Sequence, residues 1–184
     1  MAYPLPPMRT LRAPLARSVA LVSLVPFLLA CSPPSSTTPA TGEPGSPVGK
    51  PAPGFELSNL EGSKVSLASL QGKTVLLDFW ATWCKPCHEQ TRILTPLYEE
   101  LRSQGAEFLA VNSGEDEETV RRFVTKNPFA YPVLLDPEDS LAAKLDVIAL
   151  PTLVVLDRKG KVVFFQEGIA EAKAIRDELA RAGR

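Results

Sequence analysis

One stretch constrains the fold more than any other: Val75-Leu76-Leu77-Asp78-Phe79, an almost unbroken apolar run, followed five residues later by Cys84-Lys85-Pro86-Cys87. A run without polar alternation is a strand covered on both faces, which requires helices above and below its sheet. The elements downstream supply them. A helix is predicted from Cys84 towards Gly105, whose glycine fits a C-terminal stop, with Pro96 inside it predicting a kink rather than a break. A second buried strand follows over 107–112, an amphipathic helix over 117–126, a short strand over 131–135 and a short helix over 139–145. Residues 152–156 and 162–166 flank Asp157-Arg158-Lys159-Gly160 and read as an antiparallel hairpin, before a last helix over about 170–181. Ahead of the central run, strand-like pieces at 55–57 and 64–67 flank a turn at Glu61-Gly62. This order predicts a three-layer α/β sandwich on a mixed β-sheet.

The N-terminal part reads differently. Arg9, Arg12 and Arg17 precede an apolar run from Val19 to Ala30, about a dozen residues against the ~20 needed to span a bilayer as a helix, which predicts an export signal over 1–30. The ending Leu28-Leu29-Ala30-Cys31 resembles a bacterial lipobox, in which Cys31 becomes the lipidated first residue of the mature protein. Ordinary cleavage at a small-x-small site competes with this, but Leu28 is large where that site needs a small residue. From Ser32 to Gly54 there are seven prolines with Ser, Thr and Gly and almost no large apolar residue, so residues 31–50 are expected to be a tether and 51–184 the folded domain. No acidic residue precedes Cys31, so the remainder carries 17 basic and 21 acidic residues, a net −4. That balance excludes a nucleic-acid surface.

With Cys31 taken by lipid, Cys84 and Cys87 are left as one pair in an oxidising compartment. At the first turn of a helix, cysteines three apart face the same way. The unpaired N–H groups and positive dipole end there stabilise a thiolate, so Cys84 is predicted to be the exposed nucleophile and Cys87, one turn inward, the resolving thiol. Lys85 adds positive charge, and Pro86 suits a first turn.

Cys84 to His88 also spells the CxxCH of c-type haem attachment. A second axial ligand is usually methionine or histidine, yet the chain has one histidine, and Met1 and Met8 both lie in the signal. Zinc needs four ligands where the mature chain would offer Cys84, Cys87 and His88. Neither a metal nor any cofactor beyond the redox-active disulfide is expected, and a haem-binding lipoprotein stays as the alternative of a different class. His88 itself is expected to face solvent, and Glu115-Asp116-Glu117-Glu118 to favour a helix dipole rather than bind metal.

Asp78-Phe79-Trp80-Ala81-Thr82-Trp83-Cys84-Lys85-Pro86-Cys87 resembles the active-site segment of the thioredoxin superfamily, and Leu150-Pro151-Thr152-Leu153 resembles its cis-proline loop. The lipobox, the tether, Val111-Asn112-Ser113-Gly114-Glu115 and an additional helix and strand before Pro151 narrow the likeness to membrane-anchored thiol-disulfide oxidoreductases of the TlpA/ResA type. The resemblance implies a thioredoxin-like fold and a protein-disulfide reductase of the cell envelope, with cytochrome c maturation or another periplasmic thiol target as the process served and a dithiol oxidase as the alternative direction. A thiol peroxidase would want threonine and proline where Ala81 and Leu77 stand. It also implies a monomer lipid-anchored with its domain in the periplasm, protein thiol and disulfide substrates, and an inner-membrane thiol electron donor.

Residue by residue, Pro151 is expected to be cis, Leu150 to offer backbone and side chain to a substrate, and Trp83 to pack beside Cys84 in the docking surface, while Trp80 is as readily plain core as part of that surface. Asp78, surrounded by apolar residues, should have a raised pKa, and in thioredoxin the matching acid accepts the proton of the second cysteine. Many anchored relatives carry a glutamate three residues after that cysteine, where this chain has Gln90, leaving Asp78 as the proton acceptor.

Overall fold

The computed structural model describes residues 46–184. The expected export signal, Cys31 and most of the expected tether lie outside the described residues. Seven strands form one mixed sheet: β1 (Glu56–Asn59), β2 (Lys64–Ser66), β3 (Thr74–Trp80), β4 (Ala106–Ser113), β5 (Val133–Asp136), β6 (Thr152–Leu156) and β7 (Val162–Glu167). Their order is β2-β1-β5-β4-β3-β6-β7. The helices are α1 (Lys85–Leu101), α2 (Glu117–Lys126), α3 (Ser140–Lys144) and α4 (Ala172–Ala182). This is the thioredoxin-like three-layer arrangement expected, with α2 and β5 as the additional helix and strand ahead of the Pro151 loop.

β3 is buried at every position because strands flank it on both sides, β4 running parallel and β6 antiparallel. Alternation then splits its side chains between two layers. Val75, Leu77 and Phe79 pack with Leu109, Val111, Leu134, Val154 and α3. Leu76 and Trp80 pack on the other side with Phe108, Leu94 and Leu97 of α1 and Ile175 and Leu179 of α4. Asp78 shares that second side, in register with Ala110 of β4 and Leu153 of β6. The site is therefore built on a fully buried strand that is paired along both edges.

Four boundaries differ from expectation, each for a local reason. α1 runs through Pro96, ends at Leu101 and tightens into a 3-10 turn over 102–104 before Gly105, whose φ of 87° takes the left-handed stop. β5 starts at Val133 rather than at residue 131, since Pro132 has no N–H for the ladder and contributes only its carbonyl, to Ala110 N. Asp139 leaves α3 because its φ is 52°. α4 begins at Ala172 because Glu171 before it is extended, with φ −75° and ψ 145°. The fold also reaches ahead of the expected start at Pro51: Gly49 N donates to Val162 O and Val162 N to Lys50 O, at 2.8 and 3.0 Å. Among the described residues no helix is long and apolar enough to cross a membrane.

Candidate active site

Cys84 is the N-cap of α1 and is disulfide-bonded to Cys87, with Cα atoms 5.3 Å apart. The Cys87 N–H donates to Cys84 Sγ at 3.2 Å, and Pro86 occupies the first turn, where its missing N–H costs nothing. A helix-start N–H thus already points at the sulfur that would carry negative charge as a thiolate. The expected contrast in exposure is a correction: Cys84 is only 3% exposed against 1% for Cys87. In the disulfide-bonded state both cysteines are therefore nearly equally buried.

Asp78 is fully buried, and burial raises its carboxyl from 3.8 to about 7, an effect opposed by one hydrogen bond from Tyr131. The Tyr131 hydroxyl donates to Asp78 Oδ2 at 3.0 Å, while Oδ1 has no partner among the described residues. This carboxyl can hold or release a proton near neutral pH on the face of the sheet that carries Cys87. Gln90 is also fully buried: its Oε1 accepts the Ala170 N–H at 2.7 Å, and its Nε2 is unpartnered. It joins the active-site helix to the β7–α4 loop. Of the two places open to Trp80 the structure takes the core, against Phe123 and Phe129.

The loop between β3 and α1 is held from the end of β4. Glu115 accepts the Thr82 N–H at 2.7 Å and the Thr82 hydroxyl at 2.5 Å, while Asn112 Nδ2 donates to the same carboxylate at 2.7 Å. Of the acidic run 115–118, the other three residues behave as expected of a helix start. Asp116 caps α2 through Thr119 N, and Glu117 and Glu118 pair with Arg121 and Arg122 one turn on. Glu115 stands outside the helix and serves the dithiol loop instead, a role its place in an acidic run conceals. His88 is likewise not solvent-facing: its ring stacks on Phe123 with centroids 5.1 Å apart, and Nε2 lies 3.2 Å from the Thr82 carbonyl oxygen.

The Leu150–Pro151 peptide bond is cis, as expected, and Pro151 is buried with Leu150 half-buried. Its loop lies beside the dithiol because Thr152 is in register with Phe79 of β3, and beside the β7–α4 loop through Gly168 N donating to Pro151 O at 2.8 Å. The large exposed hydrophobic side chains among the described residues are Trp83 at 70%, Ile148 at 88% and Ile169 at 43%. All three stand on the loops that meet at this end of the sheet. Trp83 was expected there. Ile148 and Ile169 were not, since single apolar residues in loops carry no pattern. Among the described residues no three or more His, Cys, Asp or Glu side chains are grouped as metal ligands.

Comparison with known proteins agrees with this geometry. The AhpC/TSA family model matches residues 48–165. The thiol-disulfide oxidoreductase ResA of Geobacillus thermodenitrificans is 38% identical over 132 residues, 72% of this chain and 76% of that protein. ResA of Bacillus cereus is 39% identical over 116 residues, 63% of this chain and 67% of that protein. The crystal structure of a putative thiol:disulfide interchange protein DsbE from Chlorobium tepidum superposes with a TM-score of 0.68 at 28% identity, covering 73% of this chain and 96% of that one.

Proposed function

We propose that this chain, which belongs to the AhpC/TSA family and is a thiol-disulfide oxidoreductase of the ResA type, works as a reductant of disulfides in exported proteins, including those awaiting c-type haem in cytochrome c maturation. The observation that carries the reading is a dithiol at a helix start on the same sheet face as a buried carboxyl that titrates near neutrality. The Cys84 thiolate attacks one sulfur of a substrate disulfide, forming a Cys84–substrate mixed disulfide and releasing the other substrate sulfur as a thiolate. Cys87 then gives its proton to ionised Asp78 and attacks Cys84 Sγ. The Cys84–Cys87 disulfide forms, the second substrate thiolate leaves, and two electrons have passed to the substrate. A dithiol carrier of the inner membrane restores the pair. Trp83, Leu150 and Pro151 receive the substrate, an extended apolar segment, on the rim that Ile148 and Ile169 complete.

The same proposal places the domain outside the cytoplasm on a lipid at Cys31, with the proline-rich tether giving it reach. The decisive test is the equilibrium reduction potential of Cys84–Cys87 in the purified protein, titrated against thiol buffers with Cys84→Ser as control. A value near about −270 mV supports a reductant, whereas one near about −120 mV reverses the direction to oxidation.

A further inference from the structure

Tyr131 has a better-defined place than its position ahead of a short strand suggests. β4 lies between β3 and β5, with Asp78 in register with Ala110 and Ala110 in register with Val133. On that face of β4 the small Ala110 lies between Phe108 and Asn112. Tyr131, on the segment entering β5, reaches across β4 and donates to Asp78 Oδ2 at 3.0 Å. Its ring is held edge-on by Tyr98, Phe108 and Phe129 at centroid distances of 5.7 to 5.9 Å. Thr91, one turn after Cys87 on α1, donates its hydroxyl to the Cys87 carbonyl at 3.0 Å. The phenol thus bonds the carboxyl from within the same buried cluster that holds Cys84 and Cys87.

We propose that Tyr131 is a positioning residue of the dithiol cycle, holding the Asp78 carboxylate in place as the acceptor of the Cys87 proton. The inference rests on the proton-acceptor reading of Asp78. Its logic is one of supply: a buried carboxylate needs donors, and Tyr131 is the one side chain that donates to Asp78 among the described residues. Burial, then the neighbouring Asp78, pushes the phenol well above its ordinary range, so it keeps its proton and stays a donor. The titratable groups facing Asp78 from the packed elements are Cys84, Cys87 and Tyr98 on α1 and Tyr131 itself, with His88 and Glu115 at the rim. The charged side chains of α1, α2 and α4 stand outward in exposed ion pairs. Burial and the Tyr131 hydrogen bond are what move the Asp78 carboxyl.

Single-turnover resolution tests this directly in the purified full chain. The reduced protein is loaded at Cys84 with 5,5′-dithiobis(2-nitrobenzoate), and release of the second nitrothiobenzoate by Cys87 is followed from pH 5 to 9. In Tyr131→Phe the ring stays and the hydroxyl goes, so Asp78 keeps its proton to higher pH. The profile should move upward by about one pH unit, with release about tenfold slower below the wild-type midpoint and nearly unchanged at pH 9. Carbon NMR titration of the Asp78 carboxyl should show the same upward displacement. Asp78→Asn should remove that limb of the profile, and adding Tyr131→Phe to it should change nothing further. A Tyr131→Phe profile that keeps its midpoint, or falls equally at all pH values, overturns the Tyr131 inference while Asp78 stands. A wild-type profile in Asp78→Asn overturns the proton-acceptor reading itself.

Discussion

Asp78 near the end of β3 and Asp136 at the end of β5 are both hidden from water, at 0% and 1% exposure, and they are supplied with hydrogen bonds very differently. Asp136 accepts four, from Ser140 N and Oγ, Leu141 N and Ala142 N at 2.8 to 3.0 Å, so its carboxylate ties the start of α3 to the sheet. Asp78 accepts one, from Tyr131, and leaves an oxygen unpaired. Water is replaced in full at one site and in small part at the other. A buried carboxylate with donors on both oxygens holds a structure in place; one short of donors has its ionised form raised in energy and becomes a proton acceptor near neutrality.

The sharpest way to break this comparison is the pH dependence of stability. Below 3.8 both folded and unfolded chains carry the Asp78 proton, and the residue contributes nothing to the slope. Between 3.8 and about 7 the unfolded chain releases the proton and the folded chain keeps it, so stability falls as pH rises. Above about 7 the whole cost is present, about 4 kcal/mol at about 1.4 kcal/mol per pH unit. Denaturant unfolding of the oxidised protein at pH 4 and pH 8 should show this loss in the wild type, and Asp78→Asn should lack that share of it. An unchanged slope would mean that Asp78 ionises as easily inside the fold as outside.

Asp136→Ala should act in the opposite sense, destabilising by about 3 kcal/mol, because three backbone N–H groups lose their acceptor. Thermal unfolding measures this, and the pH profile of nitrothiobenzoate release should keep its midpoint. A moved midpoint would show that the two carboxylates are coupled. The smallest effect is expected from Ser140→Ala, which removes one of four hydrogen bonds to Asp136 and should cost about 1 kcal/mol with turnover unchanged. A loss as large as that of Asp136→Ala would place the capping in the hydroxyl rather than the backbone.

The dithiol was legible because its chemistry is local: cysteines three apart, a proline in the first turn and a buried strand just ahead require no distant partner. Asp78 was legible by a similar route, since a lone acid among apolar neighbours predicts its own burial. Tyr131, Glu115 and Gln90 were not. Tyr131 looks like any strand aromatic, Glu115 like one acid of a helix-capping run, and Gln90 like a polar residue of an exposed helix face. Each acquires its role from a partner 53, 33 or 80 residues away in the chain. The partial burial of His88 on Phe123 escaped for the same reason.

By itself the sequence determined what short-range physics can encode: the period of strands and helices, the stop at Gly105, the hairpin at 157–160, the redox pair at a helix start and the two motifs of the family. Only the tertiary structure decided which donors reach each buried acid. That depends on β5 lying beside β4 rather than β3, and on the register that sets Asp78 opposite Ala110 and Ala110 opposite Val133. Strand order and register are collective outcomes of packing, so the number of hydrogen bonds a buried carboxylate receives is set by neighbours that no local stretch of the chain contains.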